Sequence, residues 1–218
     1  HEINNPLSGV LTYTKLVHKQ MNSLEFDEKD KKPMLKYLKV IEDETKRCGS
    51  IVKGLLDFSR KDQLEFSNSH LHRLLNEAYQ LMEHQMRISN IEFKEDYSAS
   101  EDLIKCSENQ IKQAVIALLL NANEAVVEDG EVRIRTSNPN PKQILLEVID
   151  NGPGIAPGDL PHVFEPFFSA KEKVSGIGMG LAIVHGIVQS HHGKVEVHSE
   201  PGAGTTISVL IPLFKPPG

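Results

Sequence analysis

The amino-acid sequence predicts an α-helical hairpin forming a dimeric four-helix bundle, followed by an α+β two-layer sandwich. Three observations predict it. Up to Lys61, apolar residues recur four and three apart, the spacing of one face of a helix. After Asp62 the pattern changes to amphipathic helices interleaved with short alternating strands, the order expected of helices packed on one sheet face. Two glycine clusters then stand at a strand end and at a helix start, where backbone can approach a ligand closely.

The first helix runs from residue 1 to about 23, with its seam on Ile3, Leu7, Val10, Thr14, Val17 and Met21. Residues 24–32 (LEFDEKDKK) read as a charged loop. Pro33 opens a second helix that reaches about Lys61. Its seam is Met34, Leu38, Ile41, Thr45, Cys48, Val52, Leu55 and Ser59, flanked by Leu35, Ile51, Leu56 and Phe58. Two helices cannot cover so wide a face, so a homodimer through residues 1–62 is expected. Packing of the hairpin on the downstream domain is the alternative. His1 and Asn5 point away from the first seam. An imidazole facing water is largely neutral at neutral pH and nucleophilic, and Glu2 can orient it or take its proton. The plainer reading of this hexapeptide is a helix start, with asparagine as cap and proline in the first turn.

Composition narrows the function classes. A chain of 218 residues, 39% hydrophobic and 25% charged, is soluble globular material for one large or two modest domains. A net charge of -6 leaves no basic stripe, so nucleic acid is not an expected partner. No apolar run approaches the ~18 residues of a membrane span. No signal peptide is visible in these residues, and a chain that opens inside a helical pattern is expected to be a cytoplasmic fragment, with any targeting or membrane attachment in missing upstream segments. Cys48 and Cys106 lack CxxC spacing, which suits a reducing compartment and argues against a disulfide framework or a zinc site. His191 and His192 have no partner ligands at zinc spacing.

The expected domains are a hairpin over residues 1–62, a linker over 63–70 and a second domain over 71–218. In the second domain a helix is expected from about His70 to Ile88, then a strand from Ile91 to Tyr97. Ser107 and Gln110 form a capping box opening a helix with core face Ile111, Val115, Leu118 and Ala122. Strands follow from Val132 to Thr136 and Ile144 to Ile149, separated by the turn cluster Asn138-Pro139-Asn140-Pro141. A Gly- and Pro-rich stretch leads to a helix from Met179 to about Ser190. Strands from Lys194 to Ser199 and Thr205 to Leu213 complete the domain.

Asp150-Asn151-Gly152-Pro153-Gly154 closes an apolar strand. A carboxylate beside two glycines can accept a hydrogen bond from a flat ligand such as the adenine amino group, and as a bare tripeptide Asp-Asn-Gly also reads as a turn. Ser175-Gly176-Ile177-Gly178-Met179-Gly180 runs straight into a helix, which points free N–H groups at an anion. It does not follow a strand, so a Rossmann reading fails. Between the clusters, Phe164, Phe167 and Phe168 need burial, either in a lid over a nucleotide or as an anchor for a long loop. Lys171 can meet a terminal phosphate or water. Asn121, past the core residue Leu118, can reach a cleft and ligate Mg2+ through its amide oxygen. Glu124 can touch the same cleft or face solvent.

Read in order, HEINNP, LLLNANEAV, DNGPGI, FEPFF, GIGMGLAIV and Gly204-Thr205-Thr206 resemble the two-component sensor histidine kinases over essentially the whole chain. The resemblance implies a dimerisation and histidine-phosphotransfer hairpin followed by an ATP-binding domain of the Bergerat fold. It implies His1 as phosphoacceptor, Glu2 as its acid/base neighbour and Asn5 as an aid to dephosphorylation of the partner. It implies Asn121 on Mg2+, Asp150 and Thr206 at the adenine, and Gly152, Gly154, Gly176, Gly178 and Gly180 around lid and phosphates. Glu124, Ala125, Ile155, Phe164, Lys171, Met179 and Leu181 complete the implied ATP-binding set. The implied partner is a response-regulator receiver domain carrying an acceptor aspartate. One departure stands out. Many such kinases carry a second asparagine four residues before the Mg2+ asparagine, where related ATPases carry a glutamate base, and here the position is Ala117. Alanine neither ligates metal nor activates water, which disfavours the rival reading of a hydrolytic ATPase clamp. A pseudokinase scaffold is the other rival, disfavoured by the intact Asn121, Asp150 and glycines.

Overall fold

The computed structural model describes residues 4–21, 32–42, 45, 48–49, 65–126, 130–168 and 178–215. Its contacts divide the chain into two units, residues 1–61 with 173–177 and residues 62–172 with 178–218.

In the first unit, helix α1 spans Asn4–Met21, and residues 32–42, 45 and 48–49 are helical as well. Pro6 falls in the first turn of α1, where its missing N–H costs nothing. His18 and Lys19 occupy the last turn, favourable to the negative end of the helix dipole. Along the seam Val17 is buried and Val10 half-buried, while Leu7 and Thr14 are exposed. Tyr13 packs against Tyr37 with ring centroids 5.6 Å apart, so the inward face is broader than the seam alone. Thr14 returns its hydroxyl to the Val10 carbonyl at 2.7 Å, which frees it from needing a core partner. Leu7, Leu11, Leu35 and Leu38 are 50, 56, 65 and 47% exposed.

The second unit is the expected two-layer sandwich. Helices α2 (Leu71–Ile88), α3 (Glu108–Ala125) and α4 (Gly180–Ser190) pack on a five-stranded sheet of β2 (Glu92–Tyr97), β4 (Glu131–Asn140), β5 (Gln143–Asp150), β6 (Lys194–Glu200) and β7 (Gly204–Pro212). The sheet order is β2-β4-β5-β7-β6. Only β2 and β4 run parallel. Alternation decides which face is buried. Val132, Ile134, Ile144, Leu146, Val148, Ile207, Val209 and Ile211 all turn to the helices. They meet Leu71, Leu74, Leu75 and Ala78 of α2, Ile111, Val115, Leu118 and Leu119 of α3, and Val184 and Val188 of α4. Each such side chain contributes roughly 1.5–3 kcal/mol on burial.

Four local expectations differ from the structure. Residues 67–70 lie in the polar stretch read as linker, yet Ser67–His70 forms β1, paired antiparallel with β3 (Leu103–Cys106), a strand the pattern did not indicate. Both have four residues, too few for an alternation to register. The capping box is not made. Ser107 is the N-cap of α3 without a side-chain cap bond, and its backbone N–H donates to His191 Nε2 at 3.0 Å. The next residue, Glu108, accepts from Ser69 Oγ at 2.6 Å. Finally, Asn138 and Pro139 are not turn residues. β4 continues through a register irregularity between Ser137 and Asn140, where Asn138 Nδ2 donates to the Glu101 carbonyl at 2.9 Å and its Oδ1 accepts from the Glu101 N–H at 3.0 Å. A side chain thereby replaces ladder bonds that proline cannot make.

Helix α2 is capped from a distance. Its N-cap residue His70 makes no side-chain cap bond. Asp102 Oδ2 accepts from the His72 N–H at 3.1 Å, and the Asp102 carbonyl accepts from the Leu71 N–H at 2.9 Å. Asp102 Oδ1 also lies 2.7 Å from His70 Nδ1. Burial pushes the Asp102 carboxyl up, but the bonds from His70 and His72 outweigh it and hold it below the ordinary carboxylate value.

Candidate nucleotide-binding site

The site is built where β5 ends, α3 ends and α4 begins. Asp150 is the last residue of β5 and is buried. Its Oδ1 accepts from the Gly152 N–H at 2.9 Å, which fixes the carboxylate rotamer. Position 152 admits only glycine. A Cβ there would stand 2.8 Å from Asp150 Oδ1 and 2.9 Å from the Ala125 carbonyl, so glycine lets the strand end meet the end of α3. Gly204 does the same from the other side, at φ 93°, where a Cβ would be 2.0 Å from the Asp150 carbonyl.

Opposite Asp150 in the ladder is Thr205, not Thr206. Residues directly opposite in an antiparallel pair share a face, and neighbours along a strand do not. The buried Thr205 therefore sits on the Asp150 side, and Thr206, opposite Ile149, projects from the other sheet face. The structure thus puts Thr205, rather than the expected Thr206, on the Asp150 side of the sheet. Thr205 Oγ1 lies 3.0 Å from Ser199 Oγ. Ser199 Oγ in turn donates to the Gly204 carbonyl and accepts from the Ile155 N–H, each at 2.8 Å. This hydroxyl pair ties Ile155, at the head of the connecting loop, to the sheet.

Asn121 sits on the last part of α3, half-buried against the start of α4. A Cβ on Gly180 would be 3.1 Å from Asn121 Oδ1 and 3.2 Å from its Nδ2. The Nδ2 atom is buried without a hydrogen-bond partner, an unspent donor of the kind that points to a ligand. Met179, the N-cap of α4, is buried and supplies no side-chain cap, so the first N–H groups of α4 are left for another acceptor. Leu181, in the first turn, packs against the core. Glu124 is exposed.

The connecting segment is pinned at its base. Phe167 has φ 69° and donates its N–H to the Gly178 carbonyl at 3.0 Å. Gly178 has φ 68°, and a Cβ there would be 2.3 Å from the Phe168 carbonyl. Phe168 and Gly178 thus begin and end the intervening residues at one place. Phe164 is half-buried with its ring 5.5 Å from that of His185 on α4. His185, Ser199 and Thr205 are site neighbours that the motifs did not single out. For Thr205 a signal existed, because strand alternation from Ile207 assigns it the inner face. His1, Glu2, Lys171 and Gly176 lie outside the described residues, as does the side chain of Asn5, whose backbone belongs to α1.

Residues 106–215 match the model of the histidine kinase-, DNA gyrase B- and HSP90-like ATPases. The chain belongs to this family. Residues 1–64 match the His Kinase A (phospho-acceptor) domain, and the two domains together make the chain a two-component histidine kinase catalytic core. It is 30% identical over 214 residues to sporulation kinase D of Bacillus subtilis, covering 98% of this chain and 40% of that protein. It is 31% identical over 226 residues to the sensory histidine kinase/phosphatase NtrB of Vibrio alginolyticus, covering 99% of this chain and 61% of that protein. The chain therefore spans less than two thirds of either relative. Among solved structures, the histidine kinase ThkA in complex with the response regulator TrrA superposes with a TM-score of 0.74 at 28% identity, covering 98% of this chain and 59% of that one.

Proposed function

We propose that this kinase core is an ATP-dependent protein-histidine autokinase that phosphorylates His1 and passes the phosphoryl group to an aspartate of a response-regulator receiver domain. The observation that carries the nucleotide reading is the junction of Asp150, Gly152 and Ala125 with Asn121 and Gly180. It offers a fixed carboxylate for an amino group, an amide for a metal or phosphate oxygen, and the open start of a helix for phosphates. The family supports ATP as the nucleotide, and the solved complex of ThkA with TrrA supports a receiver as partner. We assign residues 1–62 to the phosphotransfer hairpin, 63–70 to the linker and 71–218 to the catalytic domain.

Asp150 accepts a hydrogen bond from the adenine amino group, with Thr205 beside it. Gly152, Gly154 and Gly204 let backbone pack closely around the Asp150 turn, against Ala125, Glu200 and Asp150 respectively. Phosphate oxygens take the first N–H groups of α4, with Gly178 just before them in the chain, and Lys171 and Gly176 are assigned to the phosphates from the resemblance alone. The donor set fits Mg2+ through the amide oxygen of Asn121, a hard ligand of the kind this ion takes. Bound Mg2+ supplies charge neutralisation between the phosphate groups. A neutral ring nitrogen of His1 attacks the γ-phosphorus in line, ADP leaves, and Glu2 holds the ring or removes its second proton. Asn5, one turn along α1, orients water for removal of the phosphoryl group from the partner, a phosphatase arm of the same protein.

The exposed Leu7, Leu11, Leu35 and Leu38 support a homodimer through residues 1–62, because a second copy would remove them from water. Time courses of free phosphate and of phosphoprotein from ATP test the reading. The proposal predicts phosphoprotein that plateaus with ADP release matched to it. Continuous phosphate release with no phosphoprotein would establish the ATPase clamp instead.

A further inference from the structure

At the end of the sheet away from Asp150 lies a cleft of about 400 Å3, lined by Phe66, Lys105, His191, His192 and the segment from Pro212 to Phe214. Pro212 stands seven positions along β7 from Thr205, the neighbour of Asp150, which is roughly 23 Å at the rise of a strand. The cleft is therefore separate from the nucleotide site. Its walls are fixed. The Phe66 ring packs on that of His191 with centroids 4.9 Å apart. Both His191 nitrogens are engaged, Nε2 by the Ser107 N–H and Nδ1 at 2.8 Å from the Ile187 carbonyl. Phe214 donates its N–H to the Leu103 carbonyl at 2.8 Å, and Leu213 bridges to Ile104.

Two polar groups meet this cleft without a protein partner among the described residues. Lys105 is the exposed residue of β3 between the buried Ile104 and Cys106, so its ammonium turns away from the core, and neither it nor the His192 imidazole is held by another side chain. His192 also occupies an uncommon place. Helix α4 ends with the His192 N–H on the Gln189 carbonyl at 3.0 Å and the Gly193 N–H on the Val188 carbonyl at 2.9 Å, a turn whose left-handed residue is ordinarily glycine. Here that residue is His192, at φ 56°. A side chain held at a strained φ, unbonded and at the mouth of a cleft, points to a ligand.

We propose that this cleft is a second binding site of the protein, for a small aromatic carboxylate. The ring of the ligand packs against Phe66 and Phe214, and its carboxylate accepts from the Lys105 ammonium and from the ring N–H of His192. Size and lining agree with this class, because small-molecule sites span roughly 300–1,000 Å3 with apolar walls and a few convergent polar groups. An inorganic anion would leave the aromatic walls wet. A neutral ring would leave the ammonium without a partner.

The test is amide correlation NMR of the full chain titrated with benzoate and with benzyl alcohol. Benzoate is expected to shift the amides of Lys105, His192 and Phe214 saturably, and benzyl alcohol to bind about tenfold more weakly, the value of one charge-assisted hydrogen bond. Lys105→Gln should weaken benzoate by about tenfold and His192→Gly by about fivefold. His192→Gly should also hold or raise the urea midpoint, since glycine is at ease at that φ, so its loss of binding does not come from unfolding. Absence of saturable shifts, equal binding of benzyl alcohol, or benzoate affinity unchanged in folded Lys105→Gln or His192→Gly would overturn the inference. So would shifts centred on Asp150 and Gly152, which would put benzoate in the nucleotide site. A lower midpoint in His192→Gly would overturn it as well, by giving the imidazole a role in the fold.

Discussion

Asp150 and Thr205 sit side by side because one strand ends where its neighbour begins, and glycines at 152 and 204 leave no room for anything but backbone between them. The two adjacent threonines make this arrangement testable. Thr205→Val should weaken ADP binding by about tenfold or less, the cost of ~1 kcal/mol for one hydrogen bond. Thr206→Val, on the far face, should leave it unchanged. Equal effects in calorimetry would show that the alternation argument is wrong. Gly204→Ala should destabilise the domain by more than about 1 kcal/mol in urea unfolding, because alanine is strained at φ 93° and its methyl meets the Asp150 carbonyl. The Asp150 motif was legible in the sequence because carboxylate and glycine are adjacent in it. Thr205 was legible only through strand alternation from Ile207, because reading a Gly-Thr-Thr run by motif ignores which threonine the strand turns inward.

At the scale of elements, α2 and α3 are anchored at their N-termini by residues far away in sequence. Asp102 caps α2 and His191 receives the first N–H of the α3 turn. Asp102→Ala should cost about 0.5–2 kcal/mol, as loss of a cap does. His191 behaves differently with pH. Burial, the largest influence, and His192 hold its imidazole below the ordinary value of 6.5, against an opposing hydrogen bond to the Ile187 carbonyl. The unfolded chain then takes up a proton more readily than the folded one, so the stabilisation is full above about 6.5 and is lost as pH falls through the lower folded value. Urea midpoints should fall between pH 7.5 and 5.5, and the fall should shrink in His191→Gln. An identical fall in the variant would remove His191 from the account.

Long periodic helices and inward-alternating strands were legible because their pattern repeats several times within each element. The core face Ile111, Val115, Leu118 and Ala122 is buried as a unit, and Leu118→Ala should cost about 2–5 kcal/mol. The strands β1 and β3 and the distal caps were not legible. Their partners lie tens of residues apart, as Ser67 does from Cys106, and polar residues such as Ser69 and Asn138 take part for their hydrogen bonds rather than their hydrophobicity. The Ser107 capping box failed for the same reason. A local motif competes with tertiary partners, and here the Ser107 N–H goes to His191.

At the scale of the whole molecule, the proposed reaction divides between two units, a helical unit assigned the acceptor and a sandwich assigned the donor site. The leucines left exposed on the hairpin predict that light scattering will give twice the chain mass, and that Leu7→Lys with Leu11→Lys will shift it toward one. The most direct measurement of the central claim is incubation with γ-labelled ATP and Mg2+, followed by acid and alkali treatment of the labelled protein. A phosphoramidate at His1 should be lost in acid, persist in alkali and vanish in His1→Gln. Label that survives acid, or that remains in His1→Gln, would contradict the account.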